Sequence, residues 1–365
     1  MRLSKLKISQ FKNIGKVNID LHPTINAFTG MNGMGKTNIL DTIHYLCFAK
    51  SNFGRLERNN VMIGEDFFRL EGQFLNFDKK YDIVIKVKPP GLKVIEKNGK
   101  AFKKVSEHIG DFPLVIIAPR DKNALLENSV DRRKLMDRAL SQTDKAYLNA
   151  LVEYNKLLKQ RNALLKNSDF GNIDTLLLDT YDKRIAPIVE LISSKRKEFV
   201  KEILPDFLLM YKEIASNKET PDLKYKSQLD KSRYLDLVKE SFQKDVILKR
   251  SSSGIHKDDL EFLLNGKNLK YFASQGQLKS YALAIKLAEF AFLKRVKGFE
   301  PIVILDDVFD KLDKSRVEKL VSLLFNESFG QVFISDTDKE RVEKIFIEAE
   351  VDYKIFEVKD GIISN

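Results

Sequence analysis

The sequence predicts an α/β fold: a mixed sheet with an antiparallel β subdomain, interrupted by an inserted helical domain. A strand, a glycine-rich turn and an amphipathic helix follow one another within residues 25–50. Residues 67–96 then alternate apolar and polar side chains around a Pro-Pro-Gly turn, as antiparallel strands do. Residues 122–215 carry long helical patterns, and β-rich sequence returns near Gly254. Strands on both sides of one helical block favour a single lobe with an insertion.

The N-terminal elements follow from periodicity. Residues 2–9 and 17–21 alternate apolar and polar side chains and predict half-buried strands, and residues 25–28 form a short apolar strand. The apolar spacing after the glycine-rich turn predicts a helix. Residues 114–118, Leu-Val-Ile-Ile-Ala, predict a buried strand. These elements define a first segment, residues 1–120.

The helical patterns of residues 122–166 and 174–215 predict an arm, assigned to residues 121–250. Residues 167–172 break the pattern, and Pro187 and Pro205 are expected to interrupt its second part.

The last segment, residues 251–365, returns to alternating strands and helices. Its predicted elements are a helix over 275–296, a strand over 301–305, a helix over 320–325, a strand over 331–335 and a strand over 351–358.

Composition excludes several protein classes. Of the 365 residues, 43% are hydrophobic and 32% charged, which is enough apolar material for a core and excludes wholesale disorder. The single cysteine, Cys47, excludes an intrachain disulfide. The first residues lack the apolar segment of a secretory signal, and no uncharged stretch approaches the ~18 residues of a membrane span. We expect a cytoplasmic protein with no membrane partner.

The net charge of +11 is unevenly distributed, because residues 1–120 alone carry +9. Two interpretations stay open: a basic face for a polyanion, or simple solubility.

Residues Gly30 to Thr37, GMNGMGKT, match the phosphate-binding pattern GxxxxGK[ST]. Gly30, Gly33 and Gly35 allow backbone N–H groups to turn toward phosphate oxygens. Lys36 is predicted to bridge the β- and γ-phosphates, and the Thr37 hydroxyl to ligate Mg²⁺.

Such a loop needs a carboxylate at the end of a neighbouring strand. The apolar run of residues 301–305 ends in Asp306 and Asp307. We expect Asp306 to contact hydrated Mg²⁺ and Asp307 to orient or deprotonate the attacking water. Because Lys36 lies far from this pair in sequence, the nucleotide core is predicted to be split by the arm.

A second phosphate-binding helix start is predicted at Ser274, Gly276 and Gln277, in the sequence SQGQ. One nucleotide does not need two such helix starts in one chain. The economical interpretation is that this one contacts ATP bound by another subunit; an ordinary helix N-cap is the alternative.

The order of GMNGMGKT, SQGQ, ILDD and KLD resembles that of ABC-type ATPases, and within them the RecF family, which is related to the heads of SMC proteins. The resemblance covers essentially the whole chain. Further segments that carry it are FKNIGKVNID near the N-terminus, LLKQRNALLK (157–166), GIHKDDLEF (254–262), QVFISDTD (331–338) and the terminal FEVKDGII.

The resemblance implies an ABC-type ATPase head with residues Gly30 to Asn38, including Asn32, as Walker A. It implies Walker B at Asp306 and Asp307, and a signature motif in which Ser274 and Gly276 reach the γ-phosphate of the partner's ATP. Asp313 would lie in the D-loop, residues 118–123 are the candidate Q-loop region, and Ser335 or Thr337 would stand where transporters carry a switch histidine. ABC proteins generally have Glu at the position of Asp307, so the shorter side chain implies slow hydrolysis.

The resemblance further implies an ATP-dependent homodimer that binds duplex or gapped DNA, or single-strand/duplex junctions. It would act with RecR to help RecA load, in recombinational repair, replication restart and the SOS response to DNA damage. Two other hypotheses stay open: the nucleotide-binding subunit of a membrane transporter, and a non-enzymatic module that only binds ATP. The helical insertion, the missing switch histidine and the basic first segment argue against the transporter.

Other polar residues have more than one interpretation. His256 is a structural histidine or lines the nucleotide or interface region. Residues 160–162, Gln-Arg-Asn, are expected to pack or pair within the arm. The basic cluster from Arg132 to Arg138 is a solvated helix face, a DNA contact or an interface pair.

Overall fold

The computed structural model describes residues 1–54, 56–118, 121, 126, 128–167, 173–215, 219–309, 314–326 and 329–364. The chain divides into two compact units. The first unit comprises residues 1–121 and 282–365, and the second comprises residues 122–281. In the described stretches, no helix has both the length and the apolar character needed to cross a bilayer.

The first unit contains two six-stranded sheets. Its strands are β1 (Arg2–Phe11), β2 (Ile14–Asp20), β3 (Ile25–Thr29), β4 (Phe68–Asn76), β5 (Lys79–Lys88), β6 (Leu92–Lys97), β7 (Lys100–Ala101), β8 (Leu114–Ile117), β12 (Ile302–Asp306), β13 (Val332–Asp336), β14 (Tyr353–Lys359) and β15 (Ile362–Ser364). Its helices are α1 (Lys36–Phe48), α2 (Val105–His108), α9 (Lys314–Asn326) and α10 (Lys339–Glu348), and most of α8 (Gln275–Lys297).

One sheet is antiparallel, in the order β2-β1-β4-β5-β6-β7. Its strands alternate buried and more exposed residues, so one face packs into the core, as the period of two in the sequence predicts.

The other sheet has the order β15-β14-β3-β13-β12-β8, with parallel pairing throughout except at the edge strand β15. β3, β12 and β13 are buried along their whole length, as expected for a parallel sheet covered on both faces. β3 and β8 come from the start of the chain, whereas β12, β13 and β14 come from its last part. The predicted α/β fold with a mixed sheet and an antiparallel subdomain is confirmed.

The second unit is mainly helical. Its helices are α3 (Ser129–Thr143), α4 (Lys145–Asn167), α5 (Thr175–Ile214), α6 (Tyr234–Leu248) and α7 (Leu269–Phe272), together with the first residues of α8. A three-stranded sheet accompanies them, made of β9 (Pro221–Lys226), β10 (Asp259–Leu264) and β11 (Lys267–Asn268) in the order β11-β10-β9.

The expectation that prolines interrupt the second helical pattern is wrong. Pro187 and Pro205 both lie inside the continuous 40-residue helix α5. A proline removes one helical hydrogen bond and costs about 3 kcal/mol. Apolar side chains flank each proline and are buried, Ile185 and Val189 around the first and Ile203 and Phe207 around the second. This packing offsets the local cost.

The second unit extends to Tyr281, beyond residue 250, where the sequence placed the end of the arm. The reason is strand pairing, since β10 pairs antiparallel with β9 over its full length. The ring of Tyr281 also packs against Phe207 of α5, with the two ring centroids 4.8 Å apart. Residues 251–281 therefore fold with the helices that precede them.

Candidate functional site

The glycine-rich segment Gly30–Thr37, here called the phosphate loop, joins β3 to α1. It follows the fully buried β3 at the carboxyl end of the parallel sheet, which is the edge where α/β proteins bind ligands. Asn32 and Gly33 are exposed at its tip, whereas Gly35 is buried at the start of α1. The loop thus has an accessible centre and anchored ends.

Gly30 can be no other residue without moving the backbone. Its φ is +146°, and a Cβ atom there would lie 2.3 Å from the carbonyl oxygen of Val358 in β14. The start of the loop therefore lies directly against a strand from the last part of the chain.

The side chain of Lys36 is buried and turned back into the phosphate loop. Its Nζ donates to the carbonyl oxygens of Gly30 at 2.7 Å and Met31 at 3.0 Å. The ammonium group is thereby fixed beside the backbone of the phosphate loop, where a phosphate oxygen could contact both the ammonium group and the amide groups of the loop.

Thr37 and Asp306 are brought together as the sequence predicts. The Thr37 hydroxyl donates to Oδ1 of Asp306 at 2.9 Å. Asp306 ends β12 and is only 6% exposed. A hydroxyl and a carboxylate are hard oxygen donors of the kind Mg²⁺ prefers, and Mg²⁺ normally needs only one or two protein ligands because it keeps waters and phosphate oxygens. The donor set of Thr37 and Asp306 therefore fits Mg²⁺. Among the described residues, no group of three His, Cys, Asp or Glu side chains could hold a metal ion by itself.

Ser335, one of two candidates for the switch position, contacts both acidic residues. Its hydroxyl donates to Oδ1 of Asp306 at 2.8 Å and accepts from the backbone N–H of Asp307 at 2.9 Å. It is fully buried at the end of β13, whereas Thr337 is exposed. Asp307 itself has a φ of +49°, which is unusual for a residue other than glycine and turns the chain sharply after β12.

Asn13 braces the phosphate loop, a role that sequence reasoning missed. Its Nδ2 donates to the carbonyl oxygen of Met34 at 3.3 Å, and its Oδ1 accepts from Nδ2 of Asn38 at 2.7 Å. Asn38, predicted only as the end of the loop motif, therefore joins the helix to this brace.

The backbone of Gly361, in the last part of the chain, bonds the same carbonyl group of Met34. Its N–H donates to the oxygen of Met34 at 2.9 Å. A Cβ atom on Gly361 would lie 2.1 Å from the carbonyl oxygen of Asn13. Asn13 and Gly361 lie in FKNIG (11–15) and KDGII (359–363), two segments that carry the family resemblance, and no local pattern indicates their contact with Met34.

In the second unit, Ser274 and Gln277 form a reciprocal cap at the start of α8. The N–H of Gln277 donates to Oγ of Ser274 at 3.2 Å, and the N–H of Ser274 donates to Oε1 of Gln277 at 2.7 Å. Oγ serves as an acceptor here, so its hydrogen is left to donate elsewhere. Gln277 also donates through Nε2 to Oε1 of Glu219 at 2.8 Å, and Gly276 lies in the first turn.

Three residues of the basic cluster of α3, namely Arg132, Arg133 and Lys134, form interactions within the second unit. Arg132 forms a bidentate salt bridge with Asp259, in which Nε donates to Oδ1 at 2.7 Å and Nη2 donates to Oδ2 at 2.8 Å. Arg133 donates to the carbonyl oxygen of Asp258. Lys134 pairs with Asp131 on the same helix at 2.6 Å. Pairing is therefore the better interpretation for these residues.

Two further predictions concern residues outside the described part of the chain. They are the D-loop residue Asp313 and most of the Q-loop candidate, residues 118–123.

Comparisons with known proteins identify the family of this chain. The family model for the RecF/RecN/SMC N-terminal domain matches residues 2–364. The DNA replication and repair protein RecF of Flavobacterium johnsoniae is 44% identical over 360 residues, covering 98% of this chain and 99% of the relative.

Two solved structures are also similar. The recombination mediator protein RecF with ATP in the RecFOR pathway is 29% identical with a TM-score of 0.88, covering 99% of this chain and 96% of that one. The Smc head domain from Pyrococcus furiosus, with an extended coiled coil and bound to the C-terminal domain of ScpA, is 16% identical with a TM-score of 0.56, covering 99% and 95%. The second likeness concerns the fold alone.

Proposed function

The chain belongs to the RecF family of DNA replication and repair proteins, and we propose that it is an ATP-dependent DNA clamp. Its fold is that of the ABC-type, SMC-like ATPases. The observation that carries the proposal is the contact of Thr37 with Asp306, which joins a phosphate loop to the acidic end of a neighbouring strand.

In this proposal the backbone N–H groups of the phosphate loop and Nζ of Lys36 bind the β- and γ-phosphates of ATP. Thr37 and Asp306 hold Mg²⁺, which when bound offsets the negative charge of the phosphates. The related RecF described with ATP supports the choice of nucleotide.

Two copies of the chain are proposed to close over two ATP molecules. Ser274 of each copy donates its free hydroxyl hydrogen to the γ-phosphate held by the other, assisted by the amide groups at the start of α8. The cap formed with Gln277 supports this, because it fixes the serine without using that hydrogen.

Hydrolysis is proposed to be slow. Asp307 orients or deprotonates the attacking water, and its side chain is one methylene shorter than the glutamate generally found there in ABC proteins. The hydroxyl of Ser335 bonds both the backbone N–H of Asp307 and the carboxylate of Asp306, and so holds the two residues in a fixed relative position. Such a site suits a switch that holds DNA until ATP is cleaved.

The proposed substrate of the clamp is duplex or gapped DNA, or a junction of single strand and duplex, contacted through its backbone. RecR is the proposed partner and RecA loading the proposed outcome, in the cytoplasm. The names of the relatives, which refer to DNA replication, repair and the RecFOR pathway, support this over a transporter subunit.

The test is DNA retention by the full chain with ATP, with ADP, and with ATP in a Lys36→Ala variant. We expect retention only for the wild type with ATP. A Lys183→Ala variant is the control, since Lys183 is an exposed lysine of α5 that is already paired with Asp179, and its loss should leave retention intact. Equal retention in all conditions would refute nucleotide gating. A clamp that releases no phosphate even with DNA would instead favour the non-enzymatic module.

A further inference from the structure

The loop from Lys249 to Lys257, here called the cationic loop, joins the end of α6 to the residues before β10. It contains most of the GIHKDD segment and contacts the Gln-Arg-Asn segment of α4. Both segments were singled out in the sequence, and the ATP site described above uses neither of them.

Two polar side chains from neighbouring helices, Asn162 of α4 and Asp245 of α6, fix this loop by hydrogen bonds. Oδ1 of Asn162 accepts from both the N–H and the hydroxyl of Ser251, at 2.7 Å each. Oδ1 of Asp245 accepts from the N–H of Ser252 at 2.8 Å and from its hydroxyl at 2.5 Å. Four hydrogen bonds thus fix two consecutive residues, which leaves the loop little conformational freedom.

Arg161 neutralises the acidic groups below the loop. Its fully buried guanidinium group bonds Oδ2 of Asp245 at 2.8 Å and Oδ1 of Asp182 at 2.7 Å. It also donates to the hydroxyl of Ser251 at 2.8 Å. The carboxylate of Asp245 is therefore already paired and hydrogen-bonded.

His256, near the C-terminal end of the cationic loop, also fixes it by hydrogen bonds. Its Nδ1 lies 2.6 Å from the hydroxyl of Tyr154, and its Nε2 lies 3.1 Å from the carbonyl oxygen of Ser251. The neutral ring satisfies both partners when Nε2 donates and Nδ1 accepts. This favours the structural interpretation of His256.

The solvent side of the loop carries only positive charge. Lys249, Arg250 and Lys257 are exposed there, and Lys244 is exposed on the last turns of α6. Within the described residues no carboxylate forms an ion pair with any of these four cations. Desolvation, followed by the nearby charges of Arg250, Arg133 and Lys244, lowers the pKa of Lys257.

We propose that the cationic loop, together with Lys244, binds the backbone phosphates of duplex DNA. The proposal rests on the proposed function and names the surface of the second unit through which the clamp would contact its substrate. A fixed group of unpaired cations repels itself, and a polyanion relieves that repulsion at little conformational cost.

The chemistry of the loop indicates backbone contact rather than base recognition. Its nine residues, KRSSSGIHK, include no Phe, Tyr or Trp on which a base could stack. Lysine and arginine at fixed positions suit phosphate oxygens, and such contacts position DNA without reading its sequence.

The experiment compares two variants of the full chain with equal loss of charge. Arg250→Gln/Lys257→Gln removes two unpaired cations of the loop. Lys134→Gln/Lys183→Gln removes two cations that are already paired, with Asp131 at 2.6 Å and Asp179 at 2.7 Å. Duplex DNA affinity is measured with a slowly hydrolysed ATP analogue over a salt titration, alongside ATP affinity and thermal stability.

We expect the loop variant to bind DNA roughly 10- to 30-fold more weakly at physiological salt, with a salt slope reduced by about 2. Its ATP affinity and thermal stability should match those of the wild type, and the control variant should bind DNA nearly normally. If the two variants bind DNA equally, the cationic loop is not the contact surface, but the proposal of an ATP-dependent DNA clamp is unaffected. If the wild type itself does not bind duplex DNA, both the proposed function and this inference fall.

Discussion

The hydroxyl oxygen of Thr37 lies 2.9 Å from Oδ1 of Asp306, although 269 positions separate the two residues. The contact arises because β13 pairs with both β3 and β12, which places the ends of three parallel strands side by side. A phosphate loop from one part of the chain and an acidic pair from another thereby form one site.

Ser335 rather than Thr337 is predicted to support hydrolysis. Ser335→Ala removes the hydroxyl that bonds both Asp306 and the backbone of Asp307, so ATP hydrolysis should fall about 10- to 100-fold while nucleotide still binds. Thr337→Ala removes an exposed hydroxyl and serves as the control. Steady-state phosphate release and equilibrium ATP binding separate the two, and a larger defect in Thr337→Ala would reverse the assignment.

Gly361 is predicted to contribute to ATP binding, and Gly99 is its matched control. Their φ angles are +77° and +75°, but only Gly361 has a neighbouring atom that a Cβ would strike. Gly99→Ala should cost about 1 kcal/mol of stability through backbone strain. Gly361→Ala should cost roughly 3 kcal/mol or more and weaken ATP binding.

Chemical denaturation and ATP titration of both glycine variants measure these effects. Equal losses in the two would mean that contact with the Asn13 carbonyl does not matter.

Ser274→Asp is predicted to keep the start of α8 but abolish dimerisation on ATP. Aspartate caps helices as well as serine does, so thermal stability should hardly change. Its negative charge would repel the γ-phosphate of the partner's ATP. Ultracentrifugation with a non-hydrolysable analogue should therefore show monomers, and Ser274→Arg should do the same. Dimers undiminished in both variants would contradict the composite site.

Arg161→Met is predicted to destabilise the chain by about 3–5 kcal/mol, because it leaves two buried carboxylates without their cation. Arg184→Met is the control. Arg184 forms an exposed pair with Glu153, and its loss should cost less than about 1 kcal/mol. Urea unfolding gives both values, and a cost for Arg161→Met as small as that of the control would show that the buried pairs contribute little.

Stability is predicted to fall as pH drops from about 6.5 toward 4. Burial lowers the pKa of His256 to about 4, below its ordinary value of 6.5. Between these values the unfolded chain binds a proton that the folded chain does not, so acid favours unfolding by up to about 3 kcal/mol from this residue. His256→Gln should lose that part of the pH dependence. An unchanged pH profile in His256→Gln would exclude this histidine as the source.

The parts of the fold and site that could be predicted are those with a local pattern. The phosphate loop and the strand ending in Asp306 each have a recognisable spacing, and parallel pairing then brings Thr37 to Asp306. Asn13 and Gly361 have no such pattern, since both act through contacts with a carbonyl oxygen of a residue remote in sequence. The helical pattern of α5 was predictable, but its continuity through Pro187 and Pro205 was not, because the burial of its apolar side chains outweighs the local preference of the two prolines.

The phosphate loop contacts residues of the last part of the chain, since Gly30 lies against the carbonyl group of Val358 and Met34 accepts a hydrogen bond from Gly361. These contacts have a consequence during translation. The ribosome synthesises Val358 and Gly361 long after the phosphate loop that they stabilise. By then the inserted helical segment has already been synthesised. We therefore expect that a nascent chain cannot bind ATP until β14 and Gly361 are in place, which would prevent the proposed pairing of two copies before that point.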